Sequence, residues 1–166
     1  MLTQYECEVI NMTNVLFVCL GNICRSPMAE AMFRQMVKNA HLENKIKVAS
    51  AAISSQEQGN PPHPGAIAEL AKHGLSVGDK KSTPITKKDF DQSDYIIAMD
   101  NQNIFYLNQI APITDRKKIF LCYNIIPGME GTDIPDPWFD HKFGRTYRQL
   151  SETLPKWLDK FKTELA

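Results

Sequence analysis

Cys19 and Arg25 bracket five residues in the stretch Val15-Leu-Phe-Val-Cys-Leu-Gly-Asn-Ile-Cys-Arg-Ser-Pro27. Their types suit one chemistry. A thiol reacts as its thiolate, and a nearby guanidinium or helix N-terminus favours that charged form. A guanidinium presents a planar fork that matches two oxygens of a phosphate. Where a strand turns into a helix, backbone N–H groups point at an anion. Leu20, Gly21, Asn22, Ile23 and Cys24 would supply such groups. Gly21 lets the backbone approach the anion without a Cβ, and Asn22 tolerates the left-handed conformation that a cradle often needs. Ser26 could donate a hydrogen bond to the sulfur. A dianion held there would have its phosphorus above Cys19, an in-line nucleophile with charge stabilisation in place. The competing interpretation is a structural turn with two buried cysteines, which needs no Arg at an anion-facing position.

A second stretch, Asp133-Ile-Pro-Asp-Pro-Trp-Phe139, holds an acid between two prolines. Pro135 and Pro137 remove donors and restrict φ, so the segment is stiff. Alone it reads as an ordinary Asp-Pro turn. Beside a phosphoryl-accepting thiolate it gains a use, because the expelled alkoxide or phenoxide needs a proton, which Asp136 can give. Trp138 and Phe139 would either flank the cleft and stack on a phenyl ring or pack in the core.

The elements that must position these groups follow from periodicity. A buried strand is expected from about Asn14 to Val18 and a helix from Pro27 to about Asn39, with Ser26 as its N-cap. Met28, Ala31, Met32 and Met36 recur at helical spacing and would face the sheet. Ile46–Ser50 reads as a second strand, Asp94–Met99 as a third and Lys118–Cys122 as a fourth. Helices are expected over 64–72 (with Gly74 as the stop), over 85–90 with Thr86 as a possible cap, and over 101–110 with Asp100 as cap. The tail over 143–165 is helical in pattern, and Pro155 either kinks it or divides it. His41, His63, His73 and His141 are scattered and read as surface residues. Alternation of strand and helix implies an α/β fold, a parallel sheet covered on both faces with the functional loop at the carboxyl end of the first strand.

Cys-Leu-Gly-Asn-Ile-Cys-Arg-Ser-Pro resembles the signature loop of the low-molecular-weight protein tyrosine phosphatases, and Asp136-Pro-Trp-Phe139 resembles the segment that carries their general acid. The resemblance extends over nearly the whole chain after Met12. It implies a three-layer α/β/α fold with four parallel strands in the order 2-1-3-4. It implies catalysis by Cys19, Arg25 and Asp136 through a cysteinyl-phosphate, with Ser50 supporting the phosphate loop. It also implies reversible pairing of Cys19 with Cys24 under oxidation, against which stands a packed bystander thiol at Cys24. The implied partner is a phosphotyrosine-containing protein, and a tyrosine kinase partner stays open. Two departures bear on substrate preference. Gln56 falls about where the family often has an aromatic, and Asp79 follows Gly78 where many members carry a His. Asp79 would then either accept from the Asn22 amide or be a solvated turn residue.

The 166 residues suit one domain over 13–166, with residues 1–12 as an extension of uncertain order. A formal net charge of zero argues against a nucleic-acid or membrane-surface partner. No apolar run approaches transmembrane length. The four cysteines, Cys7, Cys19, Cys24 and Cys122, form no disulfide framework or metal-type spacing, so a reduced cytoplasmic setting is expected. No metal or other cofactor is expected, since Arg25 and the N–H groups supply the positive field. Oligomeric state is open. Three alternatives remain. Arsenate reduction would need a closely spaced downstream Cys pair, whereas only Cys122 follows Cys24. Phosphoarginine hydrolysis on the same fold goes with Thr where Ile23 stands. A phosphate-binding module without turnover would need neither Cys19 nor Asp136.

Overall fold

Val15, Leu16, Phe17 and Val18 are all buried, as a central strand of a covered parallel sheet requires. They form β1 (Thr13–Cys19) in the computed structural model, which describes residues 12–166. The expected extension over 1–12 therefore lies, apart from Met12, outside the described residues, as does Cys7. β1 pairs in parallel with β2 (Ile46–Ala52) on one side and β3 (Tyr95–Ala98) on the other, and β3 pairs with β4 (Ile119–Leu121). The order is β2-β1-β3-β4, as the resemblance implies.

Alternate residues of β1 feed two cores. Val15, Phe17 and Cys19 join the apolar faces of α1 (Arg25–Asn39) and α6 (Phe143–Leu165). Leu16 and Val18 join Phe90 of α3 (Lys87–Gln92) and Leu107 of α4 (Asn101–Ile110). Helices thus cover both faces. Phe33 is the hinge of the first core, meeting Phe17 edge-on at 5.5 Å and Phe161 at 5.9 Å between ring centroids. α2 (Pro64–Ala71) packs on α6 through Gly65, where an added Cβ would lie 2.2 Å from the Phe143 ring.

Several local expectations change. Ser26 is not the N-cap of α1. The helix starts two residues earlier, at Arg25, with Cys24 at the cap position and no side-chain cap. The Ser26 hydroxyl is engaged inside the loop instead. Pro27 still sits in the first turn, where its missing N–H costs nothing. α6 neither ends nor divides at Pro155 and runs on to Leu165. Leu150 and Leu154 before the proline, and Trp157, Leu158 and Phe161 after it, bury one continuous stripe that outweighs a lost main-chain bond. Cys122 lies beyond β4, opening a 3-10 turn over Cys122–Ile125. It is buried in the core, 3.3 Å from Thr153 Oγ1, and burial pushes its thiol up to about 12. His73 is exposed, as expected, whereas His63 is half-buried. His63 Nδ1 accepts from Gly65 N at 2.9 Å and its ring stacks on Phe143, while His73 bonds Glu69 at 3.3 Å and stacks on Tyr147. Thr86 and Asp100 both cap, each within a capping box.

Candidate active site

At the carboxyl edge of β1 the chain must pass from a strand to α1 within residues 20–24. The scaffold takes the carbonyls of this loop one by one. Ile53 N donates to Cys19 O, Ser54 N to Leu20 O, His63 N to Ile23 O and Met28 N to Cys24 O. Ser82 Oγ donates to Gly21 O at 2.7 Å. With the carbonyls held by the scaffold, the amides are left over. None of the backbone N–H groups of residues 20–26 finds an acceptor among the described residues. Seven such donors at a strand-to-helix turn are open to an anion or to water in the cleft.

Asn22 makes this loop rigid. It adopts φ 55°, in the left-handed region, and is fully buried. Its Nδ2 donates to Ser26 Oγ at 2.7 Å and to Ser50 Oγ at 2.9 Å, and its Oδ1 accepts from Thr83 N at 3.1 Å. Ser50 therefore reaches the loop through Asn22. Asp79 does not. It is exposed, whereas its neighbour Lys80 donates to Ser50 O at 2.8 Å. Ser26 Oγ lies 3.0 Å from Cys19 Sγ. Either group can be the donor in this contact, and once Cys19 is ionised only the Ser26 hydroxyl can donate.

Arg25 is 1% exposed and fixed from two other elements. Nη1 donates to Asp100 Oδ2 at 2.5 Å and to Ile134 O at 2.9 Å. Nη2 stands 3.4 Å from Asp136 Oδ2, and Nε is buried without an acceptor. Burial alone would lower this guanidinium, but facing Cys19, Asp136 and Asp100 outweighs it and holds it above its ordinary range. Burial pushes the Cys24 thiol up, helped by the Cys19 and Asp136 charges. Cys24 therefore stays a neutral thiol.

Asp136 opens α5 (Pro137–Asp140), accepting from Trp138 N at 3.1 Å. This turn carries Asp136 to the loop. Cys19, Leu20, Gly21, Ile23 and Cys24 line one side of a cleft of about 230 Å³. Asp136, Trp138 and Phe139 line the other. The two aromatics are 48% and 79% exposed, so they are walls rather than core. Gln56 and Glu57 complete the rim where an aromatic was expected to be missing. Residues 19–26, Ser50, Asp136, Trp138 and Phe139 thus fall at this cleft or directly behind it, and Asp79 does not. Asp100 was read only as a helix cap, and it also holds Arg25. Its position just past the carboxyl end of β3, next to β1, was the available signal. Ser82, Thr83 and Lys80 carried no signal, being about sixty residues from the loop that they brace.

Among the described residues no group of His, Cys, Asp and Glu is arranged to hold a metal, and no helix is long and apolar enough to cross a membrane. Residues 14–166 match the family model described as low molecular weight phosphotyrosine protein phosphatase. The low molecular weight protein-tyrosine-phosphatase YfkJ of Bacillus subtilis is 42% identical over 132 residues, covering 80% of this chain and 85% of the relative. A crystal structure of YfkJ superposes with a TM-score of 0.89 at 37% identity, covering 94% of this chain and 98% of that one. The structure of DARP, drosophila arginine phosphatase, superposes at 0.81 with 35% identity, covering 89% and 97%. Fold, signature loop and relatives agree that this chain belongs to the low molecular weight phosphotyrosine protein phosphatase family.

Proposed function

We propose that this chain, with residues 13–166 as its single domain, hydrolyses phosphotyrosine in proteins, and small aryl phosphates, with Cys19 as nucleophile, Arg25 as phosphate clamp and Asp136 as acid and base. The observation that carries this reading is the set of seven backbone N–H groups in residues 20–26 without acceptors among the described residues, joined by the buried Arg25 Nε, next to Cys19. The equatorial oxygens of a phosphoryl group are the acceptors that such a set of donors suits.

In the first step the Cys19 thiolate attacks phosphorus. The S–P bond forms as the P–O bond to the phenol breaks, and the Asp136 proton passes to the departing oxygen. In the second step Asp136, now a carboxylate, takes a proton from water whose oxygen attacks phosphorus. The S–P bond breaks, inorganic phosphate leaves, and the Ser26 hydroxyl stabilises the returning thiolate. Arg25 and the amides supply the positive field that the reaction needs.

Oxidation joins Cys19 to Cys24 in this reading and shields the nucleophile from irreversible oxidation, which suits a reduced cytoplasmic setting. A tyrosine kinase that makes the substrate is the natural counterpart in the same setting. Ile23, an apolar residue on the cleft wall, favours a phenyl ring over the guanidinium of phosphoarginine.

The test is hydrolysis of para-nitrophenyl phosphate without added metal between pH 5 and 8. Cys19→Ser should abolish turnover while phosphate still binds. Activity that survives Cys19→Ser would overturn the assignment of the nucleophile. A parent that binds phosphate without turnover would make the chain a binding module.

A further inference from the structure

We infer that a second, apolar groove beside the catalytic cleft holds a side chain of the same substrate polypeptide, next to its phosphotyrosine, and that Glu57 between the two selects a cationic neighbour. This rests on the phosphatase reading above. The groove is lined by Pro61, Pro62, Pro64, Ile67 and Trp138, with a volume of about 470 Å³. Ile23, Glu57 and Trp138 belong to both the groove and the catalytic cleft, so the two cavities share a wall.

Three observations commit the groove to this occupant. The first is continuity. An extended chain advances about 3.4 Å per residue, so a residue within about three positions of the phosphotyrosine reaches over a shared wall. The second is rigidity. His63 caps α2, stacks on Phe143 at 5.0 Å and meets Trp138 edge-on at 5.6 Å, while His63 N ties the segment to Ile23 O. The proline-rich lining has little entropy to lose on binding. The third is charge. The Glu57 carboxylate accepts from Asn60 Nδ2 through one oxygen, Oε2, at 2.8 Å. It stands on the ridge between two mostly apolar cavities, where an acidic neighbour in the substrate would be repelled and a lysine or arginine paired. Ile67, 41% exposed on α2, supplies apolar surface on the groove side alone.

The experiment compares kcat and KM for para-nitrophenyl phosphate, which does not reach the groove, with those for short phosphotyrosyl peptides. The peptides carry leucine or aspartate, paired with lysine or glutamate, within three positions of the phosphotyrosine. The parent should prefer the leucine–lysine peptide over the aspartate–glutamate peptide by about a hundredfold in kcat/KM, through KM. Ile67→Asp should raise KM for leucine peptides about tenfold and leave para-nitrophenyl phosphate unchanged. Glu57→Lys should reverse the lysine-over-glutamate preference. Peptides that do not discriminate while para-nitrophenyl phosphate is turned over would overturn the groove and leave the phosphatase reading intact. Failure with both substrates would overturn both. An Ile67→Asp protein that changes its sedimentation from dimer to monomer, with unchanged KM values, would make the groove a contact between copies and also overturn the proposal.

Discussion

Asp100 Oδ2 lies 2.5 Å from Arg25 Nη1, while Asp100 Oδ1 caps α4 by accepting from Asn103 N at 2.7 Å. One carboxylate thus joins the start of a helix to the buried Arg25 guanidinium. The two duties can be separated. Asp100→Asn keeps an N-cap acceptor and removes the charge, whereas Asp100→Ala removes both. The Asn variant should fold normally and lose about tenfold or more in kcat/KM, because the buried Arg25 loses its strongest anchor. The Ala variant should lose a further 1 kcal/mol or so of stability from the missing cap. Urea unfolding together with aryl phosphate kinetics reads both. Equal kinetics for Asp100→Asn and the parent would reduce Asp100 to a cap.

Asp136→Asn removes the proton donor but keeps the side-chain carbonyl that accepts from Trp138 N. kcat for para-nitrophenyl phosphate should fall by about a hundredfold or more. Substrates whose leaving group needs no proton should suffer least. A variant that keeps the parent's kcat would move the acid elsewhere.

Cys24 and Cys122 are thiols that burial pushes up. Below the free thiol range of about 8.5 both are protonated, folded or unfolded, and stability does not depend on them. Above it the unfolded chain gives up these protons and the folded chain keeps them, so stability falls as pH rises. Urea midpoints between pH 7 and 10 should show that decline, and Cys122→Ala should reduce it. Iodoacetamide at pH 6 to 7 should modify Cys19 and spare Cys24. Cys24→Ser should keep turnover within about threefold yet lose thiol-reversible recovery from peroxide. Recovery equal to the parent's would remove the protective role from Cys24.

Gly65 sits where α2 meets the Phe143 ring, with no room for a methyl group. Gly65→Ala should destabilise the fold by about 1–3 kcal/mol through overpacking. Because Gly65 N also bonds His63 Nδ1, the variant should disturb the groove wall before the catalytic loop. Thermal unfolding with peptide and aryl phosphate kinetics would show this as a lowered Tm with a peptide-selective rise in KM. An unchanged Tm would mean that the helix shifts freely.

What rests on neighbouring residues is legible in the chain. Continuous apolar runs marked the buried strands, and periodic ones marked α1 and α6. The short segment from Cys19 to Ser26 carries the proposed nucleophile, the proposed phosphate clamp and the loop amides together, because a strand-to-helix turn is local in the chain. Asp136-Pro-Trp-Phe139 was legible once it could be set beside that loop. Tertiary structure alone decided what crosses between elements. Asp100 reaches Arg25 across 75 residues and Ser50 reaches Asn22 across 28, although the Ser50 role was expected from the family resemblance. Ser82 and Thr83 brace the loop across 61. It also decided where α1 begins, because the Ser26 hydroxyl spends its hydrogen bonds on Asn22 and Cys19 rather than on a cap. α6 passes through Pro155 because its buried stripe, spread over both sides of the proline, is worth more than one backbone bond. Side-chain partners of this kind depend on where strands and helices come to lie in space, which no spacing within a single element records.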